Sequence, residues 1–176
     1  MSEEQRIVLD AHIATHITHM PFWEDATTVY GYVALDDEVD LQAVFRAARR
    51  AGKAIALPRI EKGSPAMSFR RVVDFPATLE RHDYGFLQPA AGDPEVSPGA
   101  GDLMLVPGRV FDRRGHRVGR GGGFYDRFLA TLSDGVVTAG VGYGVQLVHQ
   151  VPSDGTDIPV QIVVTDSETC FCRRPQ

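Results

Sequence analysis

The stretch Thr27–Leu57 constrains the fold most, because it reads as strand, helix, strand with short connections. Thr27–Leu35 (TTVYGYVAL) is β-branched and aromatic, the composition of a strand on a pleated, half-buried surface. Asp40 caps a helix expected over Leu41–Ala51, which Gly52 stops. Lys53–Leu57 is then a short apolar strand, halted by Pro58. Two strands joined by a helix of this length form a βαβ unit and pair in parallel.

The alternation continues on both sides. Ser2 to His19 has helical spacing, with Ile7, Ala11, Ala14 and Ile17 or Thr18 near one stripe, and Pro21 ends the pattern. Strands are expected at Met67–Val73, Asp102–Val106, Val136–Tyr143 and Gln161–Thr165, a helix at Phe124–Leu132, and a helical turn at Val145–His149. Pro89–Gly101 is rich in Pro, Gly, Asp and Ala and reads as loop. The expected architecture is therefore α/β: three layers, α/β/α, around a mostly parallel, Rossmann-like sheet, in a single domain over residues 1–176.

A chain of 176 residues buries roughly two-thirds of its extended surface, enough for a core without staples. The formal charge of −5 argues against nucleic acid as the main partner, since backbone binding needs clustered Lys and Arg. No apolar run approaches the roughly 20 residues that span a bilayer. Met1-Ser2-Glu3-Glu4-Gln5 lacks the basic region and apolar core of a signal peptide, so a cytoplasmic protein is expected; separately, a monomer is expected. Cys170 and Cys172 are expected to be reduced thiols, on opposite faces of a terminal strand.

The chemistry concentrates in Asp102–Leu132, DLMLVPGRVFDRRGHRVGRGGGFYDRFLATL. A buried strand leaves through Pro107-Gly108 and reaches Gly119-Arg120-Gly121-Gly122-Gly123 just before a helix. Ligands of open α/β sheets bind beyond the C-terminal strand ends. A glycine loop entering a helix offers free N–H groups, the positive end of the dipole, and close approach to phosphate oxygens. Arg109, Arg113, Arg114, Arg117, Arg120 and Arg127 surround it, and guanidinium suits phosphate and carboxylate. No Gly-Lys-Ser/Thr follows, so this is not a Walker loop, and it lies too far from the first strand for a dinucleotide fingerprint. Anion binding is what the residues alone support.

Val106-Pro107-Gly108, Phe111-Asp112, Gly115, and Arg117-Val118-Gly119-Arg120-Gly121-Gly122-Gly123-Phe124-Tyr125-Asp126 closely resemble the signature of 5-formyltetrahydrofolate cyclo-ligases. Tyr32–Glu38, Gly52-Lys53, Leu57-Pro58, Gly85, Gln88-Pro89, Val151-Pro152, Asp157 and Val163–Thr165 agree in the same order. The resemblance implies an enzyme that uses ATP and Mg2+ to convert 5-formyltetrahydrofolate, with or without a polyglutamate tail, to 5,10-methenyltetrahydrofolate. The implied route is phosphorylation of the formyl oxygen, then ring closure by N10. It implies that Arg117, Val118, Gly119, Arg120, Gly121, Gly122, Gly123, Phe124 and Tyr125 bind ATP, with Arg120 and Tyr125 catalytic. The folate would meet Val33, Glu38 and Arg120–Phe124, and the metal Asp126 and Asp157. From the residues alone, Asp126 is also an ordinary first-turn acid, Asp157 an Asx-turn residue, and Glu38 part of a solvated acidic loop.

Some features depart from the family pattern. Its members begin with a further basic helix that reaches the ATP phosphates, and this chain starts about where that segment ends, with Arg6 too far along to replace it. The alternative reading is accordingly a non-catalytic folate- or nucleotide-binding paralogue. A sugar-phosphate isomerase or CoA-transferase-like protein is suggested by sheet architecture only. Phe124 stands where a Tyr is common, and Gln88 where Glu is frequent. His12, His16 and His19 share a helical face read as solvated or interfacial, Trp23 reads as a core or groove residue, and no nucleophile elbow appears.

Overall fold

In the computed structural model, which describes residues 1–73, 79–83 and 85–172, the run Leu103–Val106 is buried on both sides. Leu103 and Leu105 face one core cluster, Met104 and Val106 the other, as the two-residue strand period requires. The elements, in chain order, are helices α1 (Glu3–Thr18) and α2 (Pro21–Asp25), strand β1 (Thr28–Tyr30), helix α3 (Gln42–Arg50), and strands β2 (Ala54–Ile60) and β3 (Met67–Val72). Then come β4 (Leu79–Arg81), β5 (Leu87–Pro89), β6 (Glu95–Val96), β7 (Leu103–Pro107), β8 (Val110–Asp112) and β9 (Arg117–Val118). Helix α4 (Phe124–Leu129), β10 (Val137–Val141), a 3-10 turn (Gly144–Gln146), β11 (Leu147–Val148), β12 (Ile162–Val164) and β13 (Thr169–Phe171) complete the chain.

The main sheet has eight strands in the order β13-β12-β10-β7-β1-β2-β3-β6. Its centre, β12 through β2, is parallel, and β13, β3 and β6 are antiparallel. Residues of α1, α2 and α3 share one core cluster with Val29, Leu57, Leu103 and Ile162. Leu129 of α4 joins Tyr30, Phe69, Phe111 and Val163 in the cluster on the other face. A small sheet, β11-β8-β9, supplements α4 there, and β4–β5 form a separate hairpin. The expected layered α/β architecture with a mostly parallel sheet is thus what the chain adopts.

Local differences have local causes. The buried face of α1 is Ile13, Ala14 and Ile17, while Ile7 is 63% exposed, so the apolar stripe starts later than expected. β1 ends at Tyr30, and Gly31 follows where a Cβ would lie 2.6 Å from the Phe45 ring of α3. β2 runs through Pro58. The Ala56 carbonyl accepts from Gly31 N–H, so Pro58, two residues on, turns its nitrogen to the same side, past the end of β1. On that side the N–H of Ile60 donates to the Gln88 side-chain oxygen at 3.1 Å. The stretch read as loop contains β6, and α4 stops three residues before Leu132. Cys170 and Cys172 pack against the same core cluster rather than on opposite faces, since residues two apart share a side of a strand. Trp23 is buried, with Lys53 Nζ over its ring at 5.4 Å.

Candidate active site

The strand ends of β1, β2 and β7 open onto a cavity of about 1150 Å³, walled by the loop after β1, the β4–β5 turn and Arg117–Arg127. β8 and β9 carry the chain from β7 to the glycine loop. Asp112 anchors that detour. Its carboxylate is fully buried and accepts from the backbone N–H groups of Arg114 (2.9 Å), His116 (3.1 Å) and Val151 (3.0 Å).

The glycine loop has the form of an anion cradle. Among the described residues, no backbone N–H from Gly119 through Asp126 finds a protein acceptor. Gly121 and Gly123 hold φ of 84° and 64°, a region that favours glycine. A Cβ at Gly119 or Gly121 would meet nothing within 4 Å, so the loop is open to a ligand. Helix α4 is only six residues long, and the loop's own N–H groups carry the site more than the helix dipole does.

Four of the six arginines singled out in the sequence line the cavity: Arg109, Arg117, Arg120 and Arg127. The other two lie elsewhere, Arg113 on Glu168 at 2.6 Å and Arg114 on Asp112 at 3.3 Å. The Arg117 guanidinium is committed to the fold. It donates to Ile158 O at 2.7 Å and to Asp126 Oδ1 at 2.9 Å, with its side chain 4% exposed. Arg120 pairs with Asp37 and lies 3.4 Å from Glu38, and Arg109 reaches Asp37 at 3.3 Å. Arg127 donates to Gly122 O at 2.8 Å and to Pro65 O at 3.0 Å, bracing the loop.

Val33, Glu38, Val118, Phe124, Tyr125, Asp126 and Asp157 all line the same cavity as the glycine loop. Asp126 Oδ1 also accepts from Ile158 N–H at 3.1 Å, and among the described residues no donor reaches its Oδ2. Asp157 Oδ2 accepts from Asp154 N–H at 2.8 Å. Among the described residues, no cluster of three or more His, Cys, Asp or Glu is placed to hold a metal, the histidines of α1 included. His16 Nδ1 instead sits 2.7 Å from Thr165 O.

Glu38 is buried in a loop that wraps around it. Its Oε2 accepts from Leu35 N–H at 3.0 Å, while Arg6 donates to the carbonyls of Asp36 (2.6 Å) and Glu38 (3.0 Å). This role of Arg6 had no signal in the sequence, because about thirty residues separate the partners. Tyr32 and Tyr125 line the cavity, and their hydroxyls, closed off from solvent, have no hydrogen-bond partner among the described residues. Burial first, and the charge of Glu38 second, push both phenols far above their ordinary range, so both are neutral donors at neutral pH.

A model described as the 5-formyltetrahydrofolate cyclo-ligase family matches residues 1–166. The 5-formyltetrahydrofolate cyclo-ligase of Escherichia coli (strain K12) is 31% identical over 171 residues, covering 96% of this chain and 93% of that protein. The solution structure of Aquifex aeolicus 5,10-methenyltetrahydrofolate synthetase is similar with a TM-score of 0.84 and 30% identity, covering 100% of this chain and 87% of that one. A 5,10-methenyltetrahydrofolate synthetase from Mycoplasma pneumoniae shares the fold, with a TM-score of 0.71 at 18% identity over 94% of this chain and 90% of that one. The match runs through every strand end that walls the cavity, and the chain belongs to the 5-formyltetrahydrofolate cyclo-ligase family.

Proposed function

We propose that this protein is a cyclo-ligase that converts 5-formyltetrahydrofolate and ATP to 5,10-methenyltetrahydrofolate, ADP and phosphate. The observation that carries the reading is the row of N–H groups from Gly119 to Asp126, unbonded among the described residues, in a loop that lines the cavity in a chain of this family. Backbone donors of this kind suit phosphate oxygens, and transfer of a phosphoryl group needs positioning and electrostatics more than covalent help.

The loop 119–123 would cradle the phosphates, and Phe124 and Val118 would bound the nucleotide. Arg120 stands at the border of the two substrates, where its guanidinium stabilises charge on the phosphoryl group passing to the formyl oxygen. Arg117 supports the site indirectly by fixing Asp126. Tyr125 would border the reacting groups from the cavity wall. Val33 and Glu38 would receive the folate ring, with the Glu38 carboxylate accepting its N–H groups.

Magnesium fits as a guest of the nucleotide. Asp126 keeps Oδ2 without a donor among the described residues, and Asp157, also on the cavity, would supply a second carboxylate. One or two carboxylates plus phosphate oxygens and water is the usual protein share for this ion. When bound, it would neutralise phosphate charge during transfer.

The test is direct: purified protein, MgATP and 5-formyltetrahydrofolate, with the methenyl product followed by ultraviolet absorbance. ATP-dependent product that Arg120→Ala suppresses supports the cyclo-ligase. Binding of either ligand without turnover would favour a non-catalytic paralogue, and no binding of either would overturn the reading.

A further inference from the structure

Three acids in succession, Asp36, Asp37 and Glu38, lie in the loop after β1 that puts Glu38 on the cavity. Like charges so close repel, and the fold must hold them together. The loop turns tightly on itself: Glu38 N–H donates to Leu35 O at 2.9 Å, and Leu35 N–H donates to Glu38 Oε2 at 3.0 Å. Two arginines meet it on different terms. Arg120, from the glycine loop, pairs with the side chains of Asp37 and Glu38. Arg6, from α1, instead donates to the backbone carbonyls of Asp36 at 2.6 Å and Glu38 at 3.0 Å, one nitrogen of its fork to each. The Tyr143 hydroxyl, whose proton goes to Asp10 Oδ1 at 2.8 Å, lies beside the same guanidinium, so the fork is seated between α1 and the segment after β10.

We infer that Arg6 is a positioning residue for the folate: it holds the 35–38 turn by its backbone, and so keeps the Glu38 carboxylate on the cavity when Arg120 engages the phosphoryl group. The inference rests on the cyclo-ligase reading, in which Arg120 serves phosphate and Glu38 the folate ring. In the free protein Arg120 has Asp37 and Glu38 as partners, and each N–H it gives to phosphate is withdrawn from them. The acids then lose a counter-charge while the folate still needs Glu38 in place. Arg6 does not line the cavity and bonds carbonyls rather than carboxylates, so that exchange leaves its contacts intact. Its planar fork spans two carbonyls in a fixed direction, which a single flexible ammonium does not reproduce.

The experiment compares the full chain with Arg6→Ala and Arg6→Lys. Dissociation constants for 5-formyltetrahydrofolate and MgATP are measured by calorimetry, and hydrogen–deuterium exchange is followed in peptides covering residues 35–38. Both variants are expected to bind 5-formyltetrahydrofolate roughly 10-fold more weakly, with wild-type MgATP affinity and faster exchange in the 35–38 turn. The core contacts of α1, through Ile13, Ala14 and Ile17, are untouched by either change, and Arg6→Lys reads the role even where Arg6→Ala unfolds. Wild-type folate affinity in either variant, or a folate loss without faster exchange at 35–38, would overturn the inference and leave the cyclo-ligase reading standing. Parallel losses of both ligands in both variants would mark Arg6 as merely structural, which also overturns it. Failure of the wild-type protein to bind 5-formyltetrahydrofolate at all would remove the proposed function and this inference together.

Discussion

Arg117 Nη2 lies 2.9 Å from Asp126 Oδ1, and this ion pair ties together the two ends of the glycine loop. The arginine end is nearly closed to solvent while the acid is 29% exposed. Removing the acid therefore strands a charge in the interior.

Asp126→Ala is expected to lower stability by about 3–5 kcal/mol, the cost of breaking a buried pair from one side. Loss of activity in that variant mixes two effects, because Asp126 is also the proposed metal ligand. The double variant Arg117→Met, Asp126→Asn removes both charges and should recover most of the denaturation midpoint, while activity stays low. Urea denaturation and the ultraviolet assay, run on the same preparations, separate the fold from the chemistry. Recovery of activity along with stability would show that Asp126 serves only the loop.

A different signature is expected at Gly119. Its backbone has no left-handed φ, and an added Cβ meets no protein atom within 4 Å. Gly119→Ala should leave stability within about 0.5 kcal/mol of wild type, as for an open surface position. The methyl group would occupy space that phosphate oxygens need, so nucleotide affinity should fall at least roughly ten-fold, about 1.4 kcal/mol. Calorimetry with MgATP reads this directly. Unchanged affinity would take Gly119 out of the cradle.

The parts of the fold legible in the sequence were those where one run of residues must be buried on both faces. Leu103–Val106 and Ile162–Val164 are such runs, and any other placement would expose them. β8, β9 and β11 were not legible, because strands of two or three residues carry too little pattern. Pro58 misled because its effect depends on whether a neighbouring strand extends alongside it, and β1 ends before that point. In the site, the glycine loop announced itself, since glycines in that number have few other uses. The arginines were legible as a group but not as individuals: whether Arg113 meets a phosphate or Glu168 is decided by tertiary placement. Arg6 gave no signal, as an arginine in a helix is ordinary.

Thiol chemistry offers a prediction independent of any ligand. Burial, with Glu168 beside it, pushes Cys170 up to about 11, and burial does the same for Cys172, also to about 11. Only thiolate reacts readily, so both groups should resist labelling by a maleimide at pH 8 in the folded protein. In urea both should label fast, as ordinary thiols near pKa 8.5 do. Rapid labelling of the native protein would mean that β13 opens locally or is frayed.

Asp112 supplies the pH dependence. Burial alone would raise its carboxyl, but the N–H groups of Val151, Arg114 and His116 and the His116 side chain outweigh burial and hold it below its ordinary value. A carboxyl depressed in the folded state stabilises that state above the unfolded pKa, about 3.9. The contribution then fades as pH falls through the lower, folded value. Urea midpoints should therefore hold steady above roughly pH 5 and decline below about pH 4. Asp112→Asn cannot reproduce the pattern, because its amide brings a donor to a site already filled by donors. It should cost about 3 kcal/mol or more at pH 7 and flatten the acid limb of the curve. The functional consequence would follow the structural one: Asp112 holds the β8–β9 detour that delivers the glycine loop to the cavity, so the variant should lose nucleotide affinity even where it remains folded. A wild-type acid limb that survives in Asp112→Asn would assign the transition to other carboxylates.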